Sequence, residues 1–330
     1  MKKSIEKRKR QILNNCYAGI TDEKSFAKKD VEPELRKFQA SIVSTVFEEK
    51  HGEDLRIKDV QLHINALAEE QHLLLNEKIV EFNAMSNELN KLLGQEIAGN
   101  KGERKLERNM KMIQVENEYL TNVELSSEDI VSEIDGIVIT SKAIFLLEAK
   151  YSVNDMCITS EGNYCRTENH SIVYGNIGDK VNEKEYLLRQ ALKNKGFDKE
   201  IKIYRILVYT NNDTKLFNYY KYLKKCSCNQ LHYFIEEFDG EDIYTTADMS
   251  FIKTSLFEAS EIKKYPIDFN FKKYEELFAD VLIMTEHPQN MEDTIIDYTK
   301  KINWKKVAKY SALATCSTFF LTTRIMKRIL

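Results

Sequence analysis

Two apolar runs stand back to back near the middle of this chain, Ser132–Ile139 and Ala143–Lys150, joined by Thr140-Ser141-Lys142. Runs of this length, with a short polar connection, predict a β-hairpin buried in the body of a domain. Each run also carries acid: Asp135 in the first strand and Glu148, two residues before Lys150, in the second. Side chains alternate along a strand, so Glu148 and Lys150 share one face and Ala149 takes the other. Carboxylates in so apolar a setting are costly unless a metal or a counter-charge accompanies them. Two adjoining acids offer hard oxygen ligands suited to Mg²⁺ or Mn²⁺. A lysine beside them can orient an attacking water and offset phosphate charge. Glu-x-Lys by itself says little, because the triplet recurs at Glu48, Glu103, Glu200 and Glu261. Only at Glu148 does it end an otherwise uncharged run facing a second acid.

The flanking pattern sets this hairpin in a mixed α/β sheet. A helix is expected over 96–113, a strand over Tyr119–Leu125, an irregular stretch over 151–179 and a helix over 181–195. A strand over Ile201–Tyr209, a helix over 214–225 and a strand over Leu231–Ile235 follow. Helices are expected at 251–262, 271–285 and 291–302, with Pro266 and Pro288 marking breaks. Upstream, no Gly or Pro occurs from Glu53 to Leu93, which predicts a helical arm, either one helix or two broken near Gly52. Its apolar stripe runs Ile57, Val60, Ile64, Leu67, then loses phase at Gln71 and resumes at Leu75, Ile79 and Phe82. Such a stripe must pack on something, either as a coiled coil or on its own domain, and a homo-oligomer, a dimer, is expected from it.

Composition excludes other classes. Six cysteines in 330 residues, the closest pair spaced Cys226-x-Cys228, are neither a disulfide framework nor a zinc knuckle and fit reduced thiols in the cytoplasm. The six histidines show no His-x-His or His-Glu-x-x-His spacing, and no phosphate-binding glycine loop is present. The net charge of −3 is uneven: residues 1–10 carry +5, residues 301–330 carry +7, and the 290 between carry −15. Basic ends suit a polyanion. No apolar run follows the N-terminal lysines, as a signal peptide would need. Residues 307–326 are long enough to span a bilayer, but Tyr310–Thr323, the uncharged part, holds six Ser/Thr, so membrane association and ordinary packing are both open.

Three ordered motifs, Gly99-x-x-Gly102-Glu103, Glu133-Ile134-Asp135-Gly136-Ile137-Val138-Ile139 and Ala143-Ile144-Phe145-Leu146-Leu147-Glu148-Ala149-Lys150, resemble the NERD (nuclease-related) domain, a branch of the PD-(D/E)XK nuclease superfamily. The resemblance covers roughly residues 96–210 and implies a restriction-endonuclease-like mixed sheet flanked by helices. It implies a Mg²⁺- or Mn²⁺-dependent endonuclease acting on DNA. Asp135, Glu148 and the Ala149 carbonyl would then ligate the metal, Lys150 would position the water, and Glu103 would support the hydration shell. Two departures stand out. Tyr151-Ser152-Val153 follows the motif where the family has Asn and a nearby Gly, and Tyr186 stands in place of a later Gln. Gln190, one helical turn on, is the expected replacement. The implied organisation is a basic segment (1–32), a helical arm (33–95), a nuclease core (96–238), accessory helices (239–300) and a basic, apolar C-terminal helix (301–330). The competing function is a non-catalytic binder of nucleic acid or a partner, built on the same fold.

Overall fold

The computed structural model describes residues 2–47 and 55–286. Gly52, the expected helix at 291–302 and the segment 307–326 lie outside them. Among the described residues three sheets and eight α-helices run in chain order as α1 (Lys2–Asn15), β1 (Ser25–Phe26), α2 (Lys28–Val46), α3 (Ile57–Glu70), α4 (Glu77–Met110), β2 (Asn117–Ser127), β3 (Ile130–Thr140) and β4 (Ile144–Lys150). There follow β5 (Met156–Ile158), β6 (Asn163–Arg166), β7 (Ile172–Asn176), α5 (Ile177–Asn194), β8 (Ile203–Tyr209), β9 (Leu216–Asn218), β10 (Lys224–Ser227), α6 (Leu231–Glu236), α7 (Thr246–Ala259), β11 (Tyr265–Pro266) and α8 (Phe271–Glu286). Among these described residues no helix is long and apolar enough to cross a membrane.

The hairpin expected at Asp135 and Glu148 is the centre of a five-stranded mixed sheet of order β10-β8-β4-β3-β2. β2, β3 and β4 form an antiparallel meander, while β8 lies parallel to β4 and β10 parallel to β8. Helices cover both faces, which is why β4 is apolar through Leu147. Ile137, Ile139, Ile144 and Leu146 pack against Val181 and Leu188 of α5 and Ile252 of α7. Val138, Phe145 and Leu147 pack on the opposite face, against Leu106 and Met110 of α4 and Leu231 of α6. Gly136 keeps that second face close, because a Cβ there would stand 3.0 Å from Met110 Sδ.

Four differences from the sequence expectations are informative. The segment 214–225 is extended, not helical: β9 pairs with β5 and β10 extends the main sheet beside β8. Leu216, Tyr220 and Leu223 mimic a helical spacing, but strand partners distant in sequence override it. Leu231–Ile235 is helix α6, not a strand, with Leu231 and Ile235 buried one turn apart. The stretch 151–179 is not irregular; it builds a second sheet of order β7-β6-β5-β9. The arm breaks at 71–76, where the apolar stripe loses phase, and α4 then runs unbroken through 95 and 96 into the core.

The stripe itself is consumed within the chain. Ile57, Val60, Ile64, Ile79 and Phe82 are wholly buried in one cluster with Phe38 of α2 and Tyr274 and Phe278 of α8. Leu67 is half-buried, and Leu75 alone of the stripe is largely exposed. The ends of the described chain meet in this helical layer, tied by the β1–β11 pair. Glu275 of α8 lies at its edge, where burial, then Asp22 and Glu276, push its carboxyl up to about 7. A raised carboxyl binds its proton more tightly in the fold, so stability falls as pH rises from its ordinary 4.5 towards 7. Glu275→Gln is therefore expected to raise the melting temperature at pH 8, with the gain vanishing below about pH 5; thermal scans at both pH values check it.

Candidate functional site

The β3–β4 ladder ends at the Gly136–Leu147 pair. One residue further the strands part, and the Asp135 side chain takes over from the backbone: its Oδ2 accepts the Ala149 N–H at 2.7 Å. Asp135 and Glu148 thus face each other at the fork, on the α5 side of the sheet. Beyond them opens a cleft of about 550 Å³ lined by Asp135, Ala149 and Lys150, by Glu96, Gly99 and Glu103 of α4, and by Tyr174 of β7. α4 reaches this position because Gly102 packs on the strand ends, where a Cβ would meet Thr210 Oγ1 at 3.1 Å and Tyr151 Cβ at 3.5 Å.

Glu148 is nearly inaccessible, and both its oxygens are engaged. Lys150 Nζ donates to one at 2.5 Å, and Lys184 Nζ, from α5, donates to the other. Burial alone would raise its carboxyl; the two ammonium groups outweigh that and hold it at about 2. Asp135 moves the other way, pushed up by burial and by the neighbouring Glu148 charge. Lys150 also donates to the Ala149 carbonyl at 3.2 Å and lies 5.5 Å from the centre of the Tyr174 ring. Burial opposes its charge, yet Glu148 and Asp135 prevail and hold it protonated. Lys28 of α2 crosses to the same region, bridging Glu103 at 2.9 Å and Glu133 at 3.1 Å.

The expected residues are brought together unevenly. Asp135, Glu148, Ala149 and Lys150 form one group, and Glu103 lines the same cleft through its pair with Lys28. Gln190 does not line it; it sits half-buried further along α5. The residue that α5 delivers to Glu148 is Lys184, which the sequence reading missed. Its signal was present: Lys184 occupies the buried face of α5 with Val181, Leu187 and Leu188, where a lysine requires a buried acid.

The donor set fits a hard divalent cation. Asp135 and Ala149 line the cleft; among the described residues Asp135 Oδ1 has no hydrogen-bond partner, and the Ala149 carbonyl accepts from Lys150 alone. Mg²⁺ commonly takes one or two carboxylates and keeps several waters, so this is a sufficient start. Glu148 would join by exchanging an ammonium contact. Among the described residues no three His, Cys, Asp or Glu side chains gather in ligand geometry, so water would complete the shell.

With this geometry in view, residues 98–210 match the family model of the nuclease-related domain, NERD. Comparisons with curated proteins and with solved structures found no match.

Proposed function

Proceeding from the nuclease-related domain that this chain carries over residues 98–210, we propose that the cleft hydrolyses phosphodiester bonds of DNA with the aid of Mg²⁺ or Mn²⁺. The observation that carries this reading is the fork itself. Asp135 and a lysine held protonated, Lys150, line a cleft of about 550 Å³, and the Glu148 carboxylate faces Asp135 from behind that wall, buried between Lys150 and Lys184.

A bound divalent cation would supply positive charge to the phosphate and an acidified water. Asp135 and the Ala149 carbonyl would be its protein donors, and Glu148 would join them by exchanging one of its ammonium contacts. Lys184 and Lys150 fix Glu148 as an oriented carboxylate. Lys150 faces the cleft and, being held protonated, serves as a donor that orients water and offsets charge growing on the phosphate oxygens. It is not a resting-state base. Lys28 adds positive charge to the same wall.

Asp135→Asn is the direct test of the ligand role. The amide oxygen can still accept the Ala149 N–H, so the fork survives, but the anionic donor is gone. Calorimetry is expected to show Mn²⁺ affinity reduced by more than the roughly 10–100-fold seen when an outer-shell partner is lost, with an unchanged melting temperature. Equal affinity in the two proteins would place the cation elsewhere.

A further inference from the structure

We propose that the β9–β10 segment, residues 215–225, is a landing surface for single-stranded nucleic acid that leads the strand into the cleft. This rests on reading the cleft as a nuclease site, and it names the form of substrate that site receives.

Charge singles the segment out. Between Asp213 and Glu236 the chain has no acid and four lysines, Lys215, Lys221, Lys224 and Lys225, in a body whose central 290 residues sum to −15. Aromatic rings are interleaved with those lysines and face solvent: Phe217 is 41% exposed, Tyr219 68% and Tyr222 56%. Large rings are normally buried, and leaving three of them out beside unopposed lysines costs stability unless a partner covers them. Lys221 Nζ lies 4.8 Å from the centre of the Tyr222 ring, so charge and ring surface are presented together.

The surface is held rigid. Asn218 pins the turn by donating to the Leu223 carbonyl at 2.6 Å and accepting the Tyr220 N–H at 3.0 Å. Tyr220 lies against Gly178 at the start of α5 and meets the Tyr222 ring edge-to-face at 5.4 Å. Its near end is fastened to the wall of the cleft. Lys215 donates its N–H to Asp155 Oδ1 at 2.8 Å and accepts the Met156 N–H at 2.9 Å, while Asn211 donates to the Ser152 carbonyl at 2.8 Å. Ser152 and Met156 line the cleft.

Lysines that track phosphates with rings on which bases stack are the two requirements for holding a single strand without regard to sequence. A duplex offers only the first contact, because its bases are already stacked on one another. Anionic lipid is the other polyanion that lysine and aromatic side chains suit. The connection of this surface to a phosphodiester cleft favours the nucleic acid.

Fluorescence anisotropy on the full chain in EDTA measures binding without cleavage. A labelled oligothymidylate is expected to bind about tenfold or more tightly than a blunt duplex of equal length. Phe217→Ala/Tyr219→Ala/Tyr222→Ala is expected to weaken oligothymidylate binding about tenfold or more, at stacking contributions of this size per base. Lys221→Gln/Lys224→Gln should lower the slope of log affinity against log salt by about 1.4, from about 0.7 per phosphate contact in a single strand. Wild-type affinity in the triple aromatic variant overturns the proposal. So does capture of the chain by phosphatidylcholine–phosphatidylserine vesicles that the triple variant loses while oligothymidylate binding is unchanged. A chain that binds the strand normally but never cuts DNA overturns the nuclease reading and leaves the surface standing.

Discussion

Glu148→Ala is expected to destabilise the fold by about 3–5 kcal/mol, the cost of breaking a buried ion pair from one side. The reason is arithmetic of charge in a confined space. Glu148 is the shared partner of Lys150 and Lys184, and Lys184 is nearly as inaccessible as the acid it contacts. Truncating the carboxylate leaves the Lys184 ammonium buried without its acid, beside a Lys150 that keeps the Ala149 carbonyl. Lys184→Met removes the opposite charge instead. Glu148 then keeps Lys150, and an isosteric apolar chain fills the face of α5 shared with Val181 and Leu188, so the loss is expected to be smaller. The double variant Glu148→Ala/Lys184→Met should recover part of the single-variant loss, since it leaves only Lys150, which can turn to the cleft. Urea denaturation of the four proteins gives the coupling directly. Additive losses would mean that the Glu148–Lys184 contact carries no energy of its own.

Lys150→Met is expected to lower the rate of DNA cleavage by about 10²–10³-fold, the usual loss when a donor aimed at developing charge is removed. Mn²⁺ and DNA affinity should change little. Lys184 still neutralises Glu148 in this variant, so the fold is retained and the loss is confined to the reaction. Single-turnover cleavage separates the effect from binding. A variant that cuts at the wild-type rate would assign the water-orienting role to another group.

The core of this fold was legible because its signals are local. Apolar runs long enough to be strands, joined by three polar residues, dictate the β3–β4 hairpin. Its placement of Asp135 opposite Glu148 follows from the pairing register. The turn between α3 and α4 was not among the expectations, which had one helix or a break near Gly52; the slip of the apolar stripe at Gln71 is its local trace, with no Gly or Pro beside it. What could not be read depends on partners far along the chain. α8 returns to pack Tyr274 and Phe278 on Phe38 and Phe82, and an amphipathic helix carries no mark of which helices it will meet. β9 and β10 owe their extended form to β5 and β8. Lys184 was visible as a lysine on an apolar helix face, but the acid it serves is known only once α5 is laid across the sheet.

Nicking and linearisation of supercoiled plasmid, with Mg²⁺ titrated against wild type and Asp135→Asn, tests the central claim most directly. Cleavage by the wild-type protein is expected to require Mg²⁺ and to be abolished by EDTA, and none above background is expected from the variant at Mg²⁺ concentrations that saturate the wild type. Cleavage by Asp135→Asn at the wild-type rate and with the same Mg²⁺ dependence, or no cleavage of plasmid or single-stranded DNA by a folded wild-type chain, would contradict it.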